Sequence, residues 1–147
     1  FRSKIKLQDE MIHEPGHLID IMATCVDVAS AKYPDQFNGK QIVPMQGISL
    51  LPAFMGEDLN RNSPIFWEHE GNRAIRAGKW KLVSQVKRNL RFTAEDMDQW
   101  ELYNLETDRS EMNDLADQYP ERVKEMSSLW EDWALEAKVI PWPWDRN

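Results

Sequence analysis

The chain is most constrained at residues 65–86, where short β-prone runs are separated by single glycines. The run 65–69 is rich in large apolar and aromatic residues, and the run 72–77 alternates apolar and polar side chains. The next run places Trp80 and Leu82 on one face. Gly71 and Gly78 supply turns between the runs. This pattern predicts consecutive antiparallel strands, a β-meander.

The rest of the second half predicts a fourth strand and a long helix. Residues 100–105 alternate again, and we interpret the charged segment 85–99 before them as a hairpin with a long mobile tip. Pro120 suits the first turn of a helix. The helix is expected to bury one stripe, formed by Val123, Met126, Ser127, Trp130, Trp133, Ala134 and Ala137. The expected fold class is α+β, a small four-stranded antiparallel sheet packed with a long C-terminal helix.

The first 62 residues predict a helix and a long connection. Apolar residues mark one helical face from about residue 17 to 32, namely Leu18, Ile21, Met22, Cys25, Val28 and Ala29. On this face Cys25 is expected to be a small buried hydrophobe. His17 and Asp20 are expected to cap the start, and Pro34 to stop the helix. The glycine- and proline-rich segment 35–62 predicts an irregular connection, with one short helical turn near 49–51 at most.

The net charge of −7 argues against nucleic-acid binding, which needs a positive face to neutralise phosphates. The charges are segregated, with seven Lys/Arg and no acid in 72–91, and ten Asp/Glu and one base, Arg109, in 95–121. The basic segment can attract an anionic substrate, or it can face acidic strands across a sheet. We favour the second interpretation for most of the seven. No stretch approaches the roughly 18 apolar residues of a membrane span.

The segment Trp67-Glu68-His69-Glu70-Gly71-Asn72-Arg73, within the run 66–83, resembles the C-terminal signature of the sulfatase family. Similarity continues at 17–24, 100–105 and 111–116 and covers nearly the whole chain. The resemblance implies an arylsulfatase-like C-terminal portion. Residues 1–62 would be the tail end of the large α/β domain, which is alkaline-phosphatase-like, and 63–147 the C-terminal subdomain. The apolar helix face would then pack on a sheet that this chain does not contain.

Sulfatases hydrolyse sulfate esters with a formylglycine made from a Cys or Ser in a C/S-x-P/A-x-R motif, beside a divalent cation, calcium, held by Asp and Asn. Cys25 is followed by Val-Asp-Val-Ala, no serine begins the motif, and no Asp-Asp pair occurs. The resemblance therefore implies that the formylglycine and the cation lie outside this chain. We expect a fragment without catalytic residues or metal ligands, inactive alone, and Phe1 in place of an initiator Met fits this. The family suggests a periplasmic or secreted protein.

The candidate substrate-facing residues are Glu68, His69, Asn72 and Arg73, at a predicted strand end and turn. His69, between Glu68 and Glu70, can be held protonated near neutral pH and donate to a sulfate or sugar oxygen. In sulfatases the small domain lies beside the active-site mouth, so the resemblance implies substrate contact rather than catalysis. The alternative is a structural turn whose polar side chains bond the backbone or the large domain.

A metal site at His13 and His17 is disfavoured, because Pro15 and Gly16 disrupt the helix that such a spacing needs.

Seven tryptophans suggest a carbohydrate platform, but four of them fall on predicted core faces: Trp80, Trp100, Trp130 and Trp133. Trp142 and Trp144 lie in a rigid Pro-Trp-Pro-Trp segment that can fold back as a lid or present two rings to a ligand. We favour the lid.

The sequence is compatible with three functions. The first is a sulfatase fragment that completes the fold and borders the substrate entrance, which predicts an exposed apolar helix face and a tendency to self-associate. The second is a non-catalytic binding module for anionic, sulfated glycans, using the basic segment and the terminal tryptophans. The third is a domain that docks its first helix onto a separate partner protein.

Overall fold

The computed structural model describes residues 11–85 and 99–140. The chain divides into two compact units, Phe1–Arg61 and Asn62–Asn147. Of the segment 85–99, predicted to be a hairpin with a long mobile end, the structure describes only residues 85 and 99. The Trp142–Trp144 segment lies outside the described residues. The assignment of the first unit to a larger domain stays a prediction.

Within residues 11–61, the first unit contains two helices and a small hairpin. Helix α1 is Asp20–Val28 and helix α2 is Leu51–Phe54. Strands β1 (Gln36–Phe37) and β2 (Lys40–Gln41) pair antiparallel. The short helical turn expected near 49–51 is confirmed as α2, whereas the small β-hairpin was not predicted.

Helix α1 is shorter than the predicted range 17–32, and Pro34 does not stop it. Ser30 has a φ of 50°, so the chain leaves the helical conformation there. The N–H of Ser30 donates to Asp27 O at 2.9 Å, and the N–H of Ala31 donates to Val26 O at 2.9 Å. This is the Schellman arrangement that ends helices, with serine in the place glycine usually takes.

The apolar face of α1 is exposed, because Asp20 and Ala23 are its buried residues. On the helix Ile21, Met22 and Val28 are exposed, and Leu18 in the turn just before it is 77 % exposed. Cys25 is exposed with them, so the prediction of a buried thiol was wrong. Within the described part of this unit, no other element packs on this face of α1, so the thiol is not buried.

Asp20 is the buried polar centre of the first unit. Its carboxylate pairs with the Arg61 guanidinium and accepts the backbone N–H of His17 at 2.7 Å and of Ile48 at 3.0 Å. Arg61 Nε also donates to Pro15 O at 3.3 Å. Burial alone would raise the pKa of Asp20, but the hydrogen bonds from Arg61, Ile48 and His17 outweigh it and lower the pKa. The predicted cap by His17 and Asp20 is not formed, because Ile19 is the N-cap residue of α1 and no side chain caps the helix there. The bond between His17 and Asp20 belongs to this buried cluster instead.

Gly47 marks a close backbone approach to the start of α1. A Cβ built on Gly47 would lie 2.2 Å from Ile19 O and 2.9 Å from Asp20 Cα. Both neighbours are backbone atoms, which cannot swing aside like the end of a side chain. This position therefore requires glycine.

Gly47→Ala is expected to destabilise the first unit by about 1–3 kcal/mol, through overpacking. A ¹⁹F label on Cys25, the single cysteine and an exposed one, reports urea unfolding of this unit. Gly16→Ala is the matched control, because its Cβ would meet Leu50 at an ordinary 3.7 Å. Equal midpoints for the two variants would contradict this assignment of Gly47.

The second unit is built on a four-stranded antiparallel sheet in the order β3-β4-β5-β6. The strands are β3 (Ile65–His69), β4 (Asn72–Ala77), β5 (Trp80–Ser84) and β6 (Glu101–Asn104). The outer edge of β6 is covered, since Leu102 N–H donates to Asp114 Oδ1 and Leu102 O accepts the Leu115 N–H. The predicted meander and the fourth strand are confirmed.

Helix α3 is Pro120–Glu136, after a 3₁₀ turn at Ala116–Gln118, and it packs on β4 and β5. The core combines sheet and helix residues, namely Ile75, Leu82, Leu102, Met126, Trp130 and Ala134. Trp80, Trp100 and Trp133 pack against this core, as predicted. Ala137, counted in the predicted stripe, is exposed, because the helix ends at Glu136. The α+β class is confirmed.

Acidic residues neutralise part of the basic segment. Lys79 pairs with Glu106 at 3.3 Å, and Lys81 pairs with Glu111 at 2.6 Å. These acids follow β6 rather than lie within it, and they pair with Lys81 of β5 and with Lys79 in the turn before β5. The bases Lys87, Arg88 and Arg91 lie outside the described residues.

Candidate functional site

The four candidate residues meet at the end of the β3–β4 hairpin. Cross-strand register pairs Glu68 with Arg73 and His69 with Asn72. Between them, Glu70 has a φ of 50° and Gly71 a φ of 86°. Two consecutive positive φ angles are typical of the type I′ turn, which matches the twist of a hairpin. We call residues 68–72 the hairpin tip.

Two of the candidate side chains brace the hairpin tip. Glu68 Oε1 accepts the Gly71 N–H at 3.2 Å, and Asn72 Nδ2 donates to His69 O at 2.8 Å. These bonds support the structural-turn alternative for Glu68 and Asn72. His69 is exposed, and its backbone carbonyl is held by the hydrogen bond from Asn72.

Arg73 lies on the opposite face of the hairpin from His69 and Asn72. Successive residues of a strand point to opposite faces, and Arg73 is 7 % exposed, on the same face as buried Ile75. Its guanidinium is 4.4 Å from the Trp100 ring centroid and 5.4 Å from that of Trp130. Substrate contact by Arg73 stays a prediction, and the contacts observed are internal.

Two further groups have shifted pKa values with structural causes. Burial, together with the hydrogen bond from Tyr103 Oη to Glu101 Oε2 at 2.8 Å, raises the pKa of Tyr103, so the phenol stays protonated. Backbone N–H groups of Asn113 and Met112 lower the pKa of Asp108. Both groups have their polar atoms committed to local structure.

In residues 11–85 and 99–140, no three His, Cys, Asp or Glu side chains come together as metal ligands. Nor does any helix in this part of the chain have the length and apolarity to cross a membrane.

Comparison with known proteins decides the family. A model of the C-terminal region of N-sulphoglucosamine sulphohydrolase matches residues 3–134. This chain belongs to that family. The sulfatase resemblance of its sequence is thereby confirmed.

Individual relatives of this sulphohydrolase C-terminal chain agree. An uncharacterized sulfatase of Schizosaccharomyces pombe is 28 % identical over 131 residues, which are 87 % of this chain and 23 % of the relative. The structure of Ps i-CgsB, also solved with k-i-k-neocarrahexaose, is 25 % identical with a TM-score of 0.60 and covers 84 % of this chain. The structure of BT4656 with its substrate D-glucosamine-2-N,6-O-disulfate is 22 % identical with a TM-score of 0.55, covers 87 % of this chain, and supports the fold alone.

The chain spans about a quarter of the length of these relatives, 23 % of the yeast sulfatase and 25 % of Ps i-CgsB or BT4656. Most of each relative therefore has no counterpart among the residues of this sulphohydrolase C-terminal chain.

Proposed function

We propose that this chain is the C-terminal part of a sulfuric ester hydrolase of the arylsulfatase type, inactive alone. One observation carries the proposal. The family match spans residues 3–134, nearly the whole chain, whereas the chain covers only about a quarter of the length of its relatives. The remaining three quarters would contain the formylglycine and the calcium site. When present, that pair of groups supplies the chemistry of sulfate-ester cleavage.

In this proposal the two units have different tasks. The first unit completes the large α/β domain, and the exposed face of α1 packs against the N-terminal segment of the same protein. Exposed Leu18, Ile21 and Met22 support this, because a soluble surface rarely keeps such a row uncovered. The second unit forms the C-terminal subdomain.

The hairpin tip borders the substrate entrance. The exposed His69 imidazole there can donate a hydrogen bond to a sulfate or sugar oxygen. The hydrogen bonds that Glu68 accepts and Asn72 donates hold the tip in a fixed shape. Less conformational entropy is therefore lost when the imidazole binds a substrate. The tip thus contributes to substrate binding and orientation.

We expect His69→Ala in the intact enzyme to lower kcat/KM about tenfold, because one hydrogen bond to a charged group is lost. Sulfate release from N-sulphoglucosamine and from an aryl sulfate gives the measurement. His13→Ala, an exposed histidine of the first unit, is the matched control. An unchanged kcat/KM on both substrates would remove His69 from the binding surface.

The glycan-binding alternative has less support. Lys79 and Lys81, two of its presumed contacts, are already paired with Glu106 and Glu111. An anionic sugar would have to displace these carboxylates to contact either lysine. Binding of a sulfated glycan by this chain alone at low salt would restore that alternative.

A further inference from the structure

One buried side chain contacts both strands just below the hairpin tip. Trp130 of α3 is 1 % exposed, and its Nε1–H donates to Trp67 O on β3 at 3.0 Å. The same ring lies 5.4 Å from the Arg73 guanidinium on β4. Trp67 and Arg73 are the residues that immediately precede and follow the tip. Trp130 therefore holds both ends of the five-residue segment that carries His69.

Arg73 is itself held on several sides. Trp100 lies on its guanidinium at 4.4 Å, and Arg73 Nη2 donates to Ser84 Oγ on β5 at 3.2 Å. Trp100 and Trp130 meet edge-on with ring centroids 6.2 Å apart. A cation between aromatic faces is attracted more strongly when it is shielded from water. The position of Arg73 is therefore set by α3, β5 and Trp100 together.

The braces inside the tip act on its shape. The hydrogen bonds from Gly71 N–H to Glu68 Oε1 and from Asn72 Nδ2 to His69 O join atoms within the tip, so they fix its shape. An isolated two-stranded hairpin is marginally stable in water. Contacts at the base of the tip therefore bear on its orientation relative to the sheet and helix.

We propose that Trp130 and Arg73 are positioning residues for the hairpin tip. They act through the tip rather than on a substrate, which gives buried Arg73 a role that its sequence context did not suggest. The inference rests on the proposed function in one respect, that the tip faces substrate. The positioning itself can be measured in the 147-residue chain without any substrate.

Trp130→Phe tests the donor, because it removes the indole N–H and keeps an aromatic ring. Trp133→Phe is the matched control on the same helix, since the Trp133 ring stacks on Phe66 with centroids 5.1 Å apart. Amide hydrogen exchange by NMR compares the tip amides with Leu82 in the core. We expect Trp130→Phe to speed exchange of the tip about tenfold beyond its effect on Leu82, as for one unmade hydrogen bond. Trp133→Phe should change both in the same proportion.

Arg73→Met is a second variant for the same experiment, and it can be measured even if Trp130→Phe fails to fold. Methionine has a similar length and no charge, so the core can accept it while the stacking and the bond to Ser84 are lost. Faster exchange at the tip with unchanged exchange at Leu82 is the expected result. Tip exchange that follows Leu82 in every folded variant would overturn the inference.

The outcome is separable from that of the proposed function. If His69→Ala leaves kcat/KM unchanged, His69 does not contact substrate, yet the exchange data still show whether Trp130 and Arg73 orient the tip. If exchange shows no effect while His69→Ala lowers kcat/KM, the tip binds substrate and is oriented by other contacts.

Discussion

Asp20→Ala is expected to lower the free energy of unfolding of the first unit by about 3–5 kcal/mol, the usual cost of breaking a buried ion pair. The variant leaves the Arg61 guanidinium, whose side chain is 6 % exposed, buried without its carboxylate. It also removes the acceptor of two backbone N–H groups, those of His17 and Ile48. The loss is large enough to unfold a marginal unit at room temperature.

The ¹⁹F label on Cys25 gives the measurement, as loss of its folded signal or a lower urea midpoint. Asp35→Ala is the matched control, because its pair with Lys32 spans 4.0 Å between side chains that are 83 % and 88 % exposed. Such surface pairs contribute about 0–1 kcal/mol. Equal midpoints for Asp20→Ala and Asp35→Ala would show that Asp20 does not hold the unit together.

The same carboxylate should leave a signature in acid. The pKa of Asp20 is lower in the folded state than its ordinary 3.8, so its contribution is complete above pH 3.8 and falls as the pH drops through the folded pKa. The wild-type chain should therefore lose stability of the first unit below that pH. Any variant without Asp20 that still folds should lack this part of the acid dependence.

Trp130→Ala is expected to destabilise the second unit by about 3–5 kcal/mol, as for other large aromatic side chains removed from a core. The indole is buried among Ile75, Leu82, Leu102 and Met126. Its loss also leaves Trp67 O without the donor at 3.0 Å and Arg73 without one of its stacking rings. The cavity and the unmade hydrogen bond act in the same direction.

Tryptophan fluorescence follows this transition, because all seven tryptophans lie in the second unit. Leu129→Ala is the matched control, at the adjacent but 39 % exposed position of α3. That variant should stay within about 0.5 kcal/mol of the wild type, as surface changes do. A Trp130→Ala chain that unfolds at the same urea concentration as Leu129→Ala would contradict the assigned core.

The meander could be predicted because local sequence and tertiary packing agree there. Gly71 and Gly78 occupy positive-φ turns, and the alternation of β4 matches its burial. The end of α1 could not be predicted, because Ser30 adopts the left-handed conformation that glycine usually fills and the helix stops before Pro34. Proline gave the stronger signal in the sequence, and backbone hydrogen bonds decided the boundary.

The polar contacts were predictable only in part. The pair of Asp20 and Arg61 joins residues 41 positions apart, and nothing local in the sequence links them. For Arg73 a usable signal existed, since strand alternation puts it on the face of Ile75. Its charge and its place beside Asn72 favoured an exposed role instead. The stacking on Trp100 and Trp130 depends on the packing of α3 against the sheet and was not visible in the sequence.

That this chain is the C-terminal part of a sulfatase is tested most directly by reading the coding sequence upstream of Phe1. We expect an open frame continuous with Phe1 that encodes an Asp-Asp pair, a C/S-x-P/A-x-R motif and a later Asp-Asn. Together they would supply the formylglycine and the cation ligands implied by the family. A start codon directly before Phe1, with no such frame, would contradict the proposed function and favour glycan binding or partner docking.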